Sequence, residues 1–311
     1  MSTPVTLRSW FASLRAFSFT ASIMPAALAV VIAVQMASVV PETVILWWTA
    51  APYLAAALLF HAGTNVLNDY WDYRHGVDGT VNGKPDPDPT HAISQGTVSP
   101  RFMLISGNIY YLLGILLGSL IALQRGTGYL AAGLAGALGG YLYTGGRFSF
   151  KYRAMGDVAV FLLMGPALVL MGVWSLTGSS ELAATLPSVP MALLVTAILH
   201  GNNLRDIHRD RAAGIHTLAG GLGFRRSRVL FVVLCLGAYV VIAVMVWARV
   251  LPALTLLVLA TLPVTLGLTR RVLGARDGSE LIDLPLRTAQ LHLLFSAAQI
   301  LAMTGVILWP T

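Results

Sequence analysis

An all-α integral membrane fold, about nine transmembrane helices bundled around a central cavity in a single domain over residues 1–311, is what this sequence predicts. Composition is the first reason: 56% of residues are hydrophobic and 11% charged, against about 25% charged in a soluble domain. The second is that apolar runs of about 18 or more residues, enough to cross a hydrocarbon core of roughly 30 Å, recur from near residue 16 to the C-terminus. The third is a one-sided distribution of basic residues.

The expected spans lie near 16–37, 46–70, 102–123, 127–146, 156–177, 187–206, 228–248, 250–268 and 288–309. Arg8 and Arg15 precede the first span as they would in a secretory signal, but it is long and eight further candidates follow, so it reads as a retained helix. Placing the N-terminus and the loops after the even-numbered spans on one side collects 18 of the 20 Lys and Arg, leaving Arg125 and Arg249 opposite. By the positive-inside rule the crowded side, with the N-terminus, is cytoplasmic, and the membrane is expected to be the bacterial inner membrane. The net charge of +7 then reports topology and an anionic ligand at that face, and needs no nucleic acid. Cys235, the single cysteine, sits inside the seventh span, so neither a disulfide framework nor a cysteine metal site is available.

Acids kept at membrane helix ends carry a desolvation cost and are functional candidates. One group closes the second span: Asn65, Asn68, Asp69 and Asp72 follow i, i+3, i+4, i+7 and share one helical face. Another closes the sixth, where Asn202, Asp206 and Asp210 follow i, i+4, i+8. The spacing Asn65 to Asp69 equals Asn202 to Asp206, which suggests a weak internal duplication with two helix ends facing one cavity. Oxygen-only donors suit a hard cation, and Mg²⁺ held by one or two carboxylates plus substrate phosphate oxygens matches them. Arg74, Lys84, Arg147, Lys151 and Arg209 lie in the loops of the same side and could clamp a diphosphate. Lys151 is the strongest of these, in a compact segment straight after span four. Tyr70, Trp71, Tyr141 and Tyr143 could present a ring face to an allylic cation, although packing accounts for any single one. His200 and His208 read as hydrogen-bonded structural groups.

The segments NDYWDYRHGVD and NNLRDIHRDRAAGIHTLA resemble the two Asp-rich motifs of the UbiA superfamily of intramembrane prenyltransferases. YTGG, MGDVAVFLLMGP and LPLRTAQLHLL look like the branch that prenylates 1,4-dihydroxy-2-naphthoate in menaquinone synthesis, with its animal vitamin K relative. The resemblance implies Mg²⁺ on Asp69, Asp72, Asp206 and Asp210, with Asn68 at the metal or diphosphate. It implies diphosphate contacts from Arg74 and Lys151, with Arg147 and Arg209 behind them, and a substrate pocket including Asn202 and Asn203; Asn65 and Tyr143, from their place beside the motifs, are expected to bind substrate as well. The partners would be a polyprenyl diphosphate, an aromatic acceptor and membrane lipid; the product would be a demethylmenaquinone, formed with loss of the ring carboxylate. Gly76 stands where many members carry a third Asp, and the next acid is Asp78. Pro85, Pro87 and Pro89 mark an unusual loop over the site, which leaves 4-hydroxybenzoate or a specialised acceptor open. A CDP-alcohol phosphotransferase lacks support because its Asp-Gly, Ala-Arg pattern is missing. A transporter would place such charges near the midplane on interrupted helices, whereas these lie at helix ends.

Overall fold

The computed structural model describes residues 7–76, 80–81, 84–85, 92–146 and 148–308. Its helices in chain order are α1 (Leu7–Ser13), α2 (Thr20–Val39), α3 (Ala50–Arg74), α4 (Pro100–Arg125), α5 (Thr127–Thr144), α6 (Gly156–Leu162), α7 (Leu168–Thr177), α8 (Val189–Arg205), α9 (Ile207–Ala212), α10 (Leu218–Leu222), α11 (Phe224–Trp247), α12 (Leu262–Gly274) and α13 (Leu284–Leu308). A two-residue antiparallel pairing of Thr80–Val81 with Lys84–Pro85 is the one extended ladder among the described residues. Between α6 and α7 the helix widens into a π turn, Leu163–Ala167, around Pro166, whose ring nitrogen has no proton to give to the ladder.

Eight helical stretches among the described residues are long and apolar enough to cross a membrane: Trp10–Val39, Trp47–Arg74, Pro100–Arg125, Gly156–Thr177, Leu182–Arg205, Phe224–Trp247, Ala253–Gly274 and Gly278–Leu308. They coincide with eight of the nine expected spans. The remaining one, 127–146, is α5. This helix is 18 residues long, about 27 Å at 1.5 Å per residue, but Gly128, Gly133, Gly136, Gly139 and Gly140 replace the larger apolar side chains of its neighbours.

Lipid tails are as apolar as leucine, so helices here associate through close packing rather than escape from water. One core joins α2, α7, α8, α11 and α13 through Leu28, Val173, Leu194, Phe231 and Phe295, all fully buried. A smaller one joins α3, α4 and α5 through Leu67, Tyr111 and Ala137. Glycines set the approach of the backbones. A methyl added at Gly172 of α7 would lie 2.6 Å from Ala29 Cβ of α2 and 2.8 Å from the Tyr53 ring. Gly172→Val is therefore expected to destabilise the bundle by roughly 1–3 kcal/mol, read as a lower unfolding temperature in detergent; an unchanged midpoint would show that α2 and α7 can part freely.

Several buried polar groups find partners on neighbouring helices. Tyr239 Oη lies between Thr261 Oγ1 and Thr265 Oγ1 at 2.7 and 2.6 Å. Arg125 donates from Nε and Nη2 to the carbonyls of Ser175 and Leu176 at 2.9 and 2.7 Å, capping the C-terminal end of α7, where the last carbonyls lack helical partners.

Candidate functional site

The last two turns of α3 carry the first acidic motif. Asp72 is buried, and three side chains meet its carboxylate: Lys151 Nζ at 2.6 Å and Asn68 Nδ2 at 2.8 Å on Oδ2, and Tyr152 Oη at 2.8 Å on Oδ1. Lys151 also donates to Asn68 Oδ1 at 3.1 Å. Asp69, on the flank of the same helix, accepts from Arg15 Nη2 at 2.7 Å and is not among the residues lining the cavity described below. Asn65 donates to the Leu14 carbonyl at 2.9 Å and to Ser18 Oγ at 3.3 Å.

Lys151 reaches this cluster because of the chain after α5. Gly146 takes a left-handed φ of 75°, a conformation a Cβ would penalise, and turns the chain back. Phe150 N and Lys151 N then donate to the Leu142 and Tyr143 carbonyls at 3.0 and 2.9 Å. The lysine is thereby fixed beside Tyr143, with its amine directed at α3.

The second motif occupies the joint between α8 and α9. The helical hydrogen bonds run through it, from Asp206 N to the Asn202 carbonyl at 3.0 Å and from Asp210 N to the Asp206 carbonyl at 2.9 Å, while the backbone at Asp206 opens to φ −94°, ψ 10°. Arg205 grips its neighbour Asp206 with both nitrogens, Nε at 2.8 Å and Nη2 at 2.6 Å. Asp210 is buried, and burial pushes its carboxyl up to about 7; the nearby Asp206 and Asp72 carboxylates push the same way and Lys151 opposes them. A group in that position calls for a cation.

Both motifs open on one cavity of about 1480 Å³. Asn65, Asn68, Asp72, Tyr143, Lys151, Asn202, Asn203, Asp206, Arg209 and Asp210 line it, so ten of the residues singled out from sequence converge. From there the cavity continues along α3 past Thr64, Phe60 and Ala57 to Tyr53, walled by the small residues of α5. Asp72 stands nineteen positions after Tyr53, about 28 Å along a helix axis. Arg74 is exposed at the end of α3 and is not part of the lining. Arg147 and Asp78 lie outside the described residues, as does the side chain of Lys84. Of the four aromatics considered, Tyr143 lines the cavity, whereas Tyr70 packs with Val66 and Met103, and Trp71 and Tyr141 pack around Leu67 and Tyr111.

Several participants carry no motif. Arg15 looks in sequence like a basic flank, and Tyr152 like a loop aromatic. His200 is fully buried, with Nδ1 at 2.7 Å from Asp157 Oδ2 and Nε2 at 3.1 Å from the Ser227 carbonyl, the hydrogen-bonded role expected of it. Asp157 at i+6 from Lys151 offers no periodic signal.

Among the described residues no three His, Cys, Asp or Glu side chains are gathered tightly enough to enclose a metal; Lys151, Arg15 and Arg205 neutralise the carboxylates instead. The donor set still fits Mg²⁺, an ion that keeps several waters and takes only one or two carboxylates alongside phosphate oxygens. The mutual repulsion of Asp72, Asp206 and Asp210 felt at Asp210 is what such an ion would relieve.

Comparison with known proteins points the same way. The model of the UbiA prenyltransferase family matches residues 10–289. The UbiA prenyltransferase domain-containing protein 1 of Mus musculus is 32% identical over 309 residues, 97% of this chain and 84% of that protein. The 1,4-dihydroxy-2-naphthoate octaprenyltransferase of Mycobacterium tuberculosis is 32% identical over 262 residues, 84% of this chain and 85% of the relative. Among solved structures, a UbiA homolog from Archaeoglobus fulgidus bound to GPP and Mg²⁺ shares the fold with a TM-score of 0.64 at 16% identity, over 95% of this chain and 99% of the other. A sequence match along nearly the whole chain, joined to this helical architecture, makes the protein a prenyltransferase and a member of the UbiA prenyltransferase family.

Proposed function

We propose that this enzyme transfers a polyprenyl group from polyprenyl diphosphate to 1,4-dihydroxy-2-naphthoate, with Mg²⁺, giving demethylmenaquinone at the cytoplasmic face of a bacterial membrane. The carrying observation is that both motifs share one cavity, acidic and basic at one end and mainly apolar along the rest, which suits a donor with an ionic head and a lipid tail. The naphthoate reading draws on the mycobacterial relative's name. Nine spans with the N-terminus inside remain the proposed topology, α5 counting as the fourth.

Asp69, Asp72, Asp206 and Asp210, with Asn68, are the proposed metal ligands. When bound, Mg²⁺ would neutralise the diphosphate and stabilise it as it leaves. Lys151, already fixed by the turn after α5, and Arg209 contact the phosphate oxygens. Asn202, Asn203 and Tyr143 border the reacting carbon, and the mainly apolar wall from Phe60 and Ala57 to the small residues of α5 holds the tail and excludes water. As the C–O bond of the donor breaks, an aromatic ring carbon supplies the electron pair for the new C–C bond. The ring carboxylate leaves as carbon dioxide and returns its bonding pair to the ring. Aromaticity is thus regained without net loss of a ring proton.

The test is an assay of purified enzyme with Mg²⁺ and geranylgeranyl or farnesyl diphosphate, offering 1,4-dihydroxy-2-naphthoate and 4-hydroxybenzoate side by side. A decarboxylated prenyl-naphthoquinol is the expected product by mass spectrometry, and chelation of the metal should abolish it. Prenylation of the benzoate alone would overturn the acceptor assignment.

A further inference from the structure

Below the first acidic motif the cavity wall is polar where an isoprenoid tail has no use for polarity. Ser18, Ser22 and His61 all line the cavity. His61 precedes Asn65, Asn68 and Asp72 by four, seven and eleven residues, so it extends the functional face of α3 inward by about one turn beyond Asn65. Its ring is buried, with Nε2 at 3.1 Å from Ser18 Oγ and Nδ1 at 2.7 Å from Ser22 Oγ.

The direction of these hydrogen bonds follows from their ends. Ser18 Oγ donates its proton to the Arg15 carbonyl at 2.8 Å, so it accepts from His61 Nε2. A neutral imidazole with a proton on Nε2 offers Nδ1 as an acceptor, and Ser22 Oγ donates to it. Ser22 Oγ then keeps its own acceptor capacity at the cavity wall. Phe19, 5.3 Å from the His61 ring between centroids, provides an apolar flank; the Met164 sulfur of the π turn, 3.9 Å from Ser22 Oγ, is a weak and distant acceptor for the serine proton beside His61 Nδ1 at 2.7 Å. A π turn inside a helix is a recurrent companion of functional sites.

We infer that Ser22 and His61 form the subsite for a hydroxyl group of the aromatic acceptor. The phenolic O–H donates to Ser22 Oγ, and His61 Nδ1, by holding the serine proton, strengthens that acceptor. Electron density on the bound ring rises, and the ring is oriented in the cavity toward the motif end. This rests on the proposed use of a phenolic acceptor, a chemistry that 1,4-dihydroxy-2-naphthoate and 4-hydroxybenzoate share.

The experiment is steady-state kinetics of His61→Gln, Ser22→Ala and Ser22→Thr in the full-length enzyme, with donor and acceptor varied separately. The acceptor is whichever of the two phenols the unmodified enzyme prenylates. His61→Gln and Ser22→Ala are expected to raise the acceptor KM about tenfold, the scale of one lost hydrogen bond, with the donor KM unchanged; Ser22→Thr, which keeps the hydroxyl, should restore it. Equal increases in both KM values, or none in either, would show that the cluster only ties the N-terminal segment to α3 and would overturn the inference. Use of the benzoate in place of the naphthoate by the unmodified enzyme changes the acceptor while the KM split still supports the subsite, and an enzyme that prenylates neither phenol overturns both readings.

Discussion

Asp72→Ala is expected to lower turnover by roughly 10²–10³-fold or more, the scale of losing one preorganised charge-stabilising group. Three side chains, Lys151, Asn68 and Tyr152, converge on its carboxylate. Its removal deletes a proposed metal ligand and also leaves the Lys151 ammonium, itself buried, without its counter-charge. Breaking one side of a buried ion pair costs about 3–5 kcal/mol, so stability should fall as well. Two companion variants separate the effects. Asp72→Asn keeps the shape and removes the charge, while Asp72→Ala combined with Lys151→Met removes both charges and should recover much of the stability but none of the turnover. Product formation across a Mg²⁺ titration, with unfolding in detergent alongside, reads both quantities. Wild-type kcat in Asp72→Ala would sink the metal assignment.

Gly278→Ala should be nearly as damaging for a different reason. A methyl at Gly278 would lie 2.0 Å from the Arg205 carbonyl oxygen and 2.9 Å from its carbon, both backbone atoms at the end of α8 that cannot turn aside as a side chain does. Asp277 Oδ1, accepting from Ser279 N at 2.8 Å, fixes the turn that presses Gly278 there. Accommodation requires the segment leading into α13 to lift from α8, and Arg205 is the residue that grips Asp206. The expected outcome is a loss of roughly 1–3 kcal/mol of stability from overpacking together with at least about a tenfold fall in kcat, with the larger share in kcat if Asp206 moves. A variant matching the wild type in both midpoint and kcat would mean that the two segments are not in register contact in solution.

The sequence made most of the fold legible because membrane helices announce themselves by length and apolarity alone. The span expected at 127–146 is present as the helix α5, which exchanges large apolar side chains for glycine along the cavity and so is less apolar than its neighbours without being shortened. The site was legible wherever two chemical groups share one helix, as Asn68 with Asp72 and Asn202 with Asp206 and Asp210 do, since helical periodicity then fixes their common face. It was not legible where partners come from distant segments. Arg15 meets Asp69 across 54 residues and His200 meets Asp157 across 43, and no local spacing encodes either pairing. Lys151 was found through its compact glycine-bearing segment, yet its partners on α3 were not foreseeable. His61 shares the face of Asn65, Asn68 and Asp72, but the serines it meets come from the turn before α2 and from α2 itself, about 40 residues away, and no local spacing encodes that pairing.

The short stretch ahead of α2 has a bearing on sample preparation. Arg15 holds a left-handed backbone, φ 50°, at the start of the turn Ala16–Phe19, a conformation that costs a non-glycine residue energy and persists where its surroundings impose it. Clipping by a protease near residue 16, or a rigid fusion partner joined close to it, would leave the long helices able to insert while removing or misplacing the guanidinium on Asp69. Such a preparation would keep its long helices while losing the contact between Arg15 and Asp69, so the integrity of the N-terminus by intact mass belongs among the checks made before any variant is judged inactive.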